Sequence, residues 1–366
     1  MSARRGRGRS AIERHGGADP ARLEAALHIS ASPHLRAPAS TERIMWSVVG
    51  SLAPVVAAAT WYFGVSALLV IAASTIGAMG VERVLGPGGP LRTSSLRDGS
   101  AAITGLLLGL TLPSGFPLWM AFLGGVVAVG FGKLLFGGLG QNPFNPALLG
   151  RAFLQAAFPI AITTWPRPTP FGSAGWAAPD ASNLALPLMT PRVDGVTEAT
   201  PLGLMKFEGQ STDAVSLLFG STGGSLGETA ALLILVGGVW LALMRYLDWR
   251  VPVAVLGTVA ALSTLLHALD PAYPPPQFML LSGGLMLGAW YMATDLVTSP
   301  VTSTGRWIFG AGIGALVVLI RVWGGLPEGV MYAILLMNAL VPFIDRATRP
   351  VPFGTPRRRA RGEAAA

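Results

Sequence analysis

The chain has 366 residues, 51% hydrophobic and only 12% charged, with a net charge of +8. Soluble domains carry about 25% charged residues, so this composition points to a lipid bilayer as the solvent. There is no cysteine, which excludes disulfides, thiolate-held iron–sulfur clusters and cysteine-based zinc sites. Any redox chemistry must use another cofactor or another subunit, and no metal site is expected.

The first 40 residues are polar and Arg-rich, without the apolar core of a signal peptide. They read as a basic tail on the cytoplasmic side of a membrane, not as a nucleic-acid-binding arm. Ten apolar stretches follow, near 44–62, 64–81, 99–113, 116–136, 145–162, 229–245, 251–267, 278–294, 307–323 and 328–345. A hydrocarbon core of about 30 Å needs about 20 helical residues. Several stretches are shorter or broken by Gly and Pro, as in spans that line protein-filled or wet cavities.

With the N-terminus in the cytoplasm, ten spans place 22 of the 26 basic residues in cytoplasmic segments and the adjoining helix ends, Lys133 and Arg151 among them. Arg167, Arg192, Lys206 and Arg321 fall on the other side. This asymmetry follows the positive-inside rule and puts both termini inside. The expected layout is a basic tail (1–43), a five-span repeat (44–162), an extracytoplasmic loop (163–228), a second five-span repeat (229–345) and a basic tail (346–366).

Thr111-Leu-Pro113 matches Thr298-Ser-Pro300 at an offset of 187, and the same offset aligns Phe122 with Phe309 and Gly125 with Gly312. Five spans per repeat is odd, so the halves would be inverted, with functional sites between them. The expected fold is an all-α integral membrane protein of about ten transmembrane helices in two inverted five-helix repeats.

Two polar stretches carry candidate chemistry. In the outer loop stands Asp194-Gly-Val-Thr197-Glu-Ala199-Thr200-Pro201-Leu. The proline biases Thr200 to an extended backbone, which presents its hydroxyl; alternatively Thr200 simply caps a short helix. The second stretch is GGLGQNPFNPA, residues 137–147, which includes Gly138, Gly140, Asn142 and Asn145. It reads as a Gly turn, two Asn-Pro turns and a helix start at Pro146. Asp98, Glu228, Asp295 and Glu328 lie at predicted span ends, as helix-terminal acids or as members of an ion path. Lys133, Arg245 and Arg321 are expected to snorkel.

The first stretch resembles the flavinylation motif of two related membrane redox proteins: the D subunit of the Rnf ferredoxin–NAD oxidoreductase complex and the B subunit of the sodium-pumping NADH:quinone reductase. The second stretch, the YMATDLVTSPVTSTGRWIFG segment at 291–310 and the ending PFIDRATRP are similar to the same family, over roughly residues 32–354. TTWPRP and PFIDRATRP look more like the Rnf D subunit. Glu198 stands where the family often has Gly.

The resemblance implies FMN joined to Thr200 through a phosphoester, with Asp194, Thr197 and Ala199 in the motif. It implies a second, non-covalent riboflavin held near Asn142, Asn145, Gly138 and Gly140. It also implies an electron-carrying subunit of an ion-translocating complex in the bacterial inner membrane. Its partners would be membrane subunits bearing iron–sulfur clusters and flavins, and cytoplasmic subunits that handle ferredoxin or NADH. From the spans alone, a cofactor-free secondary transporter built on inverted repeats fits as well.

Overall fold

The structure is a computed structural model describing residues 40–86, 95–173, 175–187, 199–228 and 231–350. Asp194 and Thr197, most of both tails and Glu198 lie outside the described residues. Among the described residues the regular elements are helices. The first half contributes α1 (Thr41–Phe63), α2 (Val65–Leu85), α3 (Ser100–Leu110), α4 (Leu118–Gly132) and α5 (Pro146–Ala157). The second contributes α6 (Ala231–Leu243), α7 (Arg250–Leu269), α8 (Pro276–Leu281), α9 (Leu285–Leu287), α10 (Ser303–Trp323) and α11 (Val330–Ala347). A π-helical turn, Gly288–Met292, continues α9.

Six helices among the described residues are long and apolar enough to cross a membrane; Ser100–Leu110 and Ala231–Leu243 are apolar but shorter. All ten apolar stretches contain helix, yet the one at 278–294 is split into α8 and α9. The chain is thus a multi-pass, all-helical membrane protein.

Glycine sets the closest helix approaches. In α4, the Cβ position of Gly125 lies 2.8 Å from the Ala78 nitrogen in α2. In α10, the Cβ position of Gly314 lies 2.7 Å from the Val255 carbonyl in α7. A side chain at either point would force the backbones apart, the usual reason for small residues at helix contacts in lipid.

Two breaks interrupt the helical interior, at residues 111–117 after α3 and at 282–284 between α8 and α9. Non-helical backbone at membrane depth has to be satisfied by protein, and here it is. At the first break, the Asn183 amide donates to the carbonyls of Ser114 (2.8 Å) and Phe116 (2.9 Å), and Ser182 donates to that of Gly115 (2.6 Å). At the second, the Arg321 guanidinium donates to the carbonyls of Met279 (2.6 Å) and Ser282 (2.9 Å). Arg321 is buried and does not snorkel, because those freed carbonyls offer a better partner than distant water.

Candidate functional site

Thr200 starts a tight turn. Pro201 fixes the first helical position, and the Thr200 Oγ1 accepts a hydrogen bond from the Gly203 N–H at 3.1 Å. The Leu204 N–H closes the turn onto the Thr200 carbonyl at 2.9 Å. The capping role expected of this residue is therefore present. It uses a lone pair of the hydroxyl oxygen, and an ester oxygen at the same place would retain one.

Thr200 and Ala199 line a cavity of about 370 Å³ with Trp165, Phe207, Tyr332 and Arg151. That volume lies in the range of sites that enclose a small-molecule ligand. Its floor is ionic. Arg151 donates through Nη2 to Glu328 Oε2 at 2.7 Å and through Nη1 to the Thr111 carbonyl at 2.8 Å. The other oxygen of Glu328 accepts the Gly284 N–H at 2.8 Å. One ion pair thus clips the first helix break to the second. Glu228, in the loop ahead of α6, also faces this cavity. Burial, then the neighbouring Glu328 carboxylate, pushes the Glu228 carboxyl up to about 7, against the opposing pull of Arg151.

Asn145 is the N-cap of α5: its Oδ1 accepts from the N–H groups of Ala147 (3.0 Å) and Leu148 (3.2 Å), and its Nδ2 donates to the Met292 carbonyl at 3.1 Å. Its oxygen thus caps α5, and its amide N–H ties the start of α5 to the π-helical turn. Asn142 differs. Its Nδ2 reaches the Phe144 carbonyl at 3.3 Å, while its buried Oδ1 has no partner.

Both asparagines line a second cavity of about 100 Å³, together with Lys133, Tyr246, Trp290 and Asp295. The Trp290 Nε1–H is also buried without a partner. Unpaired buried polar atoms are uncommon and costly. Asn142 and Trp290 thus each line this cavity and each carry a buried polar atom without a partner, an acceptor and a donor of the kind that the mixed edge of a flavin ring can meet after a small side-chain adjustment. Gly138 and Gly140 have φ near +105° and +93°, which suits glycine, but neither lines the cavity.

The two cavities share α5. Asn145 lies at its start and Arg151 six residues further on, about 9 Å along a helix that rises 1.5 Å per residue. Arg151 is thus a buried mid-helix residue and not a helix-end charge of the cytoplasmic side. Thr111 and Glu328 hold it in place. Lys133 does not snorkel either: it is buried and donates to Glu82 Oε1 and to Ser100 Oγ, both at 2.6 Å. Asp98 accepts from the Ser100 N–H at 2.8 Å, acting as an acid at the helix start.

Arg151, Lys206 and Trp290 were not singled out as site residues by sequence. The one available signal was an ionisable residue inside a short apolar helix, which applies to Arg151.

Residues 28–354 match the family described as NQR2, RnfD, RnfE. The chain belongs to that family. It is 41% identical over 344 residues to the D subunit of the proton-translocating ferredoxin:NAD(+) oxidoreductase complex of Clostridium ljungdahlii, covering 90% of this chain and 96% of that protein. It is 45% identical over 342 residues to the D subunit of the ion-translocating oxidoreductase complex of Stutzerimonas stutzeri, covering 88% and 94%. It is 38% identical over 332 residues to the D subunit of the Na(+)-translocating ferredoxin:NAD(+) oxidoreductase complex of Acetobacterium woodii, covering 90% and 95%. The family is one of subunits of ion-translocating oxidoreductases, and this chain is a member. Those names assign protons to one relative and Na⁺ to another, so membership does not fix the ion.

Proposed function

We propose that this chain is the D-type membrane subunit of an ion-translocating ferredoxin:NAD⁺ oxidoreductase complex and that it relays electrons across the membrane. It carries FMN esterified through its phosphate to the Thr200 hydroxyl and binds a second flavin, riboflavin, in the Asn142 cavity. Both termini lie in the cytoplasm, and the 163–228 loop faces the other side of the inner membrane. Its electron donors and acceptors are neighbouring subunits that bear iron–sulfur clusters and flavins, or that handle ferredoxin and NADH. The relay is coupled to transport of Na⁺ or H⁺.

The observation that carries this reading is the place of Thr200. A hydroxyl held at the wall of an aromatic-lined cavity of about 370 Å³ lets a tethered ring fold inward. The unpaired Asn142 Oδ1 and Trp290 Nε1 support the second flavin. The Asn142 cavity is narrower than the ~300–1,000 Å³ of sites that enclose a whole ligand, so a ring is held there only in part. A flavin supplies one- and two-electron chemistry. The protein supplies position and electrostatics: Arg151 and Glu328 would set the charge around the tethered flavin, and Asn142 and Trp290 would help to hold the second. The test is the visible spectrum of the purified complex together with in-gel fluorescence of the denatured chain. Flavin fluorescence that survives boiling supports the reading; a colourless chain favours a cofactor-free transporter.

A further inference from the structure

Lys206 lies six residues beyond Thr200, in the π-helical turn Leu204–Glu208. Its ammonium donates to the carbonyls of Arg321 (3.0 Å), Gly324 (2.5 Å) and Leu326 (2.9 Å), with that of Ile320 at 3.4 Å. Partial burial draws this ammonium below its ordinary value of 10.5.

These carbonyls belong to the last turn of α10 and the segment that follows. The final carbonyls of a helix have no partner within it, and the negative end of the helix dipole favours a cation there. An ammonium has three donors in a compact head, so it can join three carbonyls that point to one spot.

The two stretches of chain joined in this way both line one cavity. Thr200, Phe207 and Glu208 line it from the Lys206 side; Leu326, Pro327 and Glu328 line it from the other. A second anchor is Leu202, which packs with Leu217 and Phe278. The Thr200 turn is therefore held by an apolar plug and a cationic bolt.

From this geometry we infer that Lys206 is a positioning residue for flavin attachment and retention at Thr200: by bolting the 200–208 turn to the C-terminal end of α10, it keeps the Thr200 hydroxyl at the rim of the cavity and the tethered ring inside it. The inference rests on the FMN ester proposed above. Attachment forms the Thr200 Oγ–P bond as the P–O–P bond of a flavin dinucleotide donor breaks, the nucleoside monophosphate leaving and the hydroxyl proton passing to solvent, so a misplacement of about 1 Å at the reacting oxygen can cost about 100-fold in rate.

The test compares the wild-type complex with Lys206→Met, Lys206→Gln and Lys206→Arg variants. The readouts are the fraction of D-type chains carrying FMN, from intact mass, and the fluorescence anisotropy of the attached flavin. In assembled complex, the Met variant is expected to lose attachment about tenfold, and any attached flavin should tumble more freely. Arg, which presents its donors to the same carbonyls, is expected to restore both readouts in large part. If the Met variant does not assemble, the Gln variant, which keeps one amide donor group, has to show a partial loss.

Wild-type attachment and anisotropy in an assembled Met or Gln variant would overturn the role of Lys206 and leave the ester intact. A wild-type chain of unmodified mass would overturn the ester, and the role of Lys206 with it.

Discussion

The Thr200 cavity and the Asn142 cavity hold their proposed flavins by opposite means. The first is wide, about 370 Å³, and floored by an ion pair whose members are already committed to each other. The buried Arg151 Nε has no partner there, and on the proposed reading a covalent tether would supply the retention. The second is narrow, about 100 Å³, and is lined by Asn142 and Trp290, each with a buried polar atom that has no partner. A ring there can be retained by hydrogen bonds and apolar contact alone. On the proposed reading, the residue which identifies a cofactor site need not be the residue that binds the ring: Thr200 would anchor, whereas Asn142 would contact.

The largest expected effect separates the two sites outright. Thr200→Ala should abolish covalent FMN while leaving the non-covalent flavin in place. Loss of the cap to Gly203 should cost only about 1 kcal/mol, so the chain should still assemble. Mass spectrometry and extraction of loose flavin check this, and an alanine variant that still carries esterified FMN would refute the anchor.

Next is the clip. Glu328→Ala leaves Arg151 buried without its carboxylate and the Gly284 N–H without an acceptor. Breaking such a pair costs about 3–5 kcal/mol. Thermal unfolding in detergent should show a clear drop in midpoint, larger than that of Thr200→Ala. An unchanged midpoint would mean the two helix breaks do not depend on each other.

A smaller effect belongs to the Asn142 cavity. Asn142→Leu removes the open acceptor, and binding of free riboflavin should weaken by about 1–3 kcal/mol, with esterified FMN unaffected. Equilibrium titration of flavin-depleted complex measures it; equal affinity would place the ring elsewhere.

The smallest is electrostatic. The Glu228 carboxyl, pushed up to about 7, is neutral below that pH and gains a negative charge above it. That charge disfavours the reduced, more negative flavin, so the midpoint potential of the flavin proposed at Thr200 should fall more steeply across neutral pH in the wild type than in Glu228→Gln. The extra fall is worth about 1–2 kcal/mol for charges roughly 8–16 Å apart at an effective dielectric near 20. Parallel slopes in a redox titration would remove Glu228 from the site.

Much of this was legible in the sequence because it is local. Runs of apolar residues mark helices through their length. Asn145-Pro146 announces a capped helix start, and Thr200-Pro201 announces a tight turn, since proline fixes its own φ and restricts the residue before it. What was not legible is pairing across distance. Arg151 meets Glu328 across 177 positions, and Lys206 meets Gly324 across 118. Arg151 looked like one more basic residue near a span end, because a tally of charges by side ignores depth along the helix. Lys133 and Arg321 misled in the same way: a long cationic side chain can reach for water, but it turns inward when a buried carboxylate or freed carbonyls lie closer. The unpaired atoms of Asn142 and Trp290 follow from packing and leave no mark in composition.

The most direct measurement is peptide-mapped mass spectrometry of the chain isolated from the native complex. The account predicts one FMN on the peptide containing Thr200, lost on Thr200→Ala and retained on Thr200→Ser. A Thr200 peptide of unmodified mass in a complex that is active and yellow would contradict it.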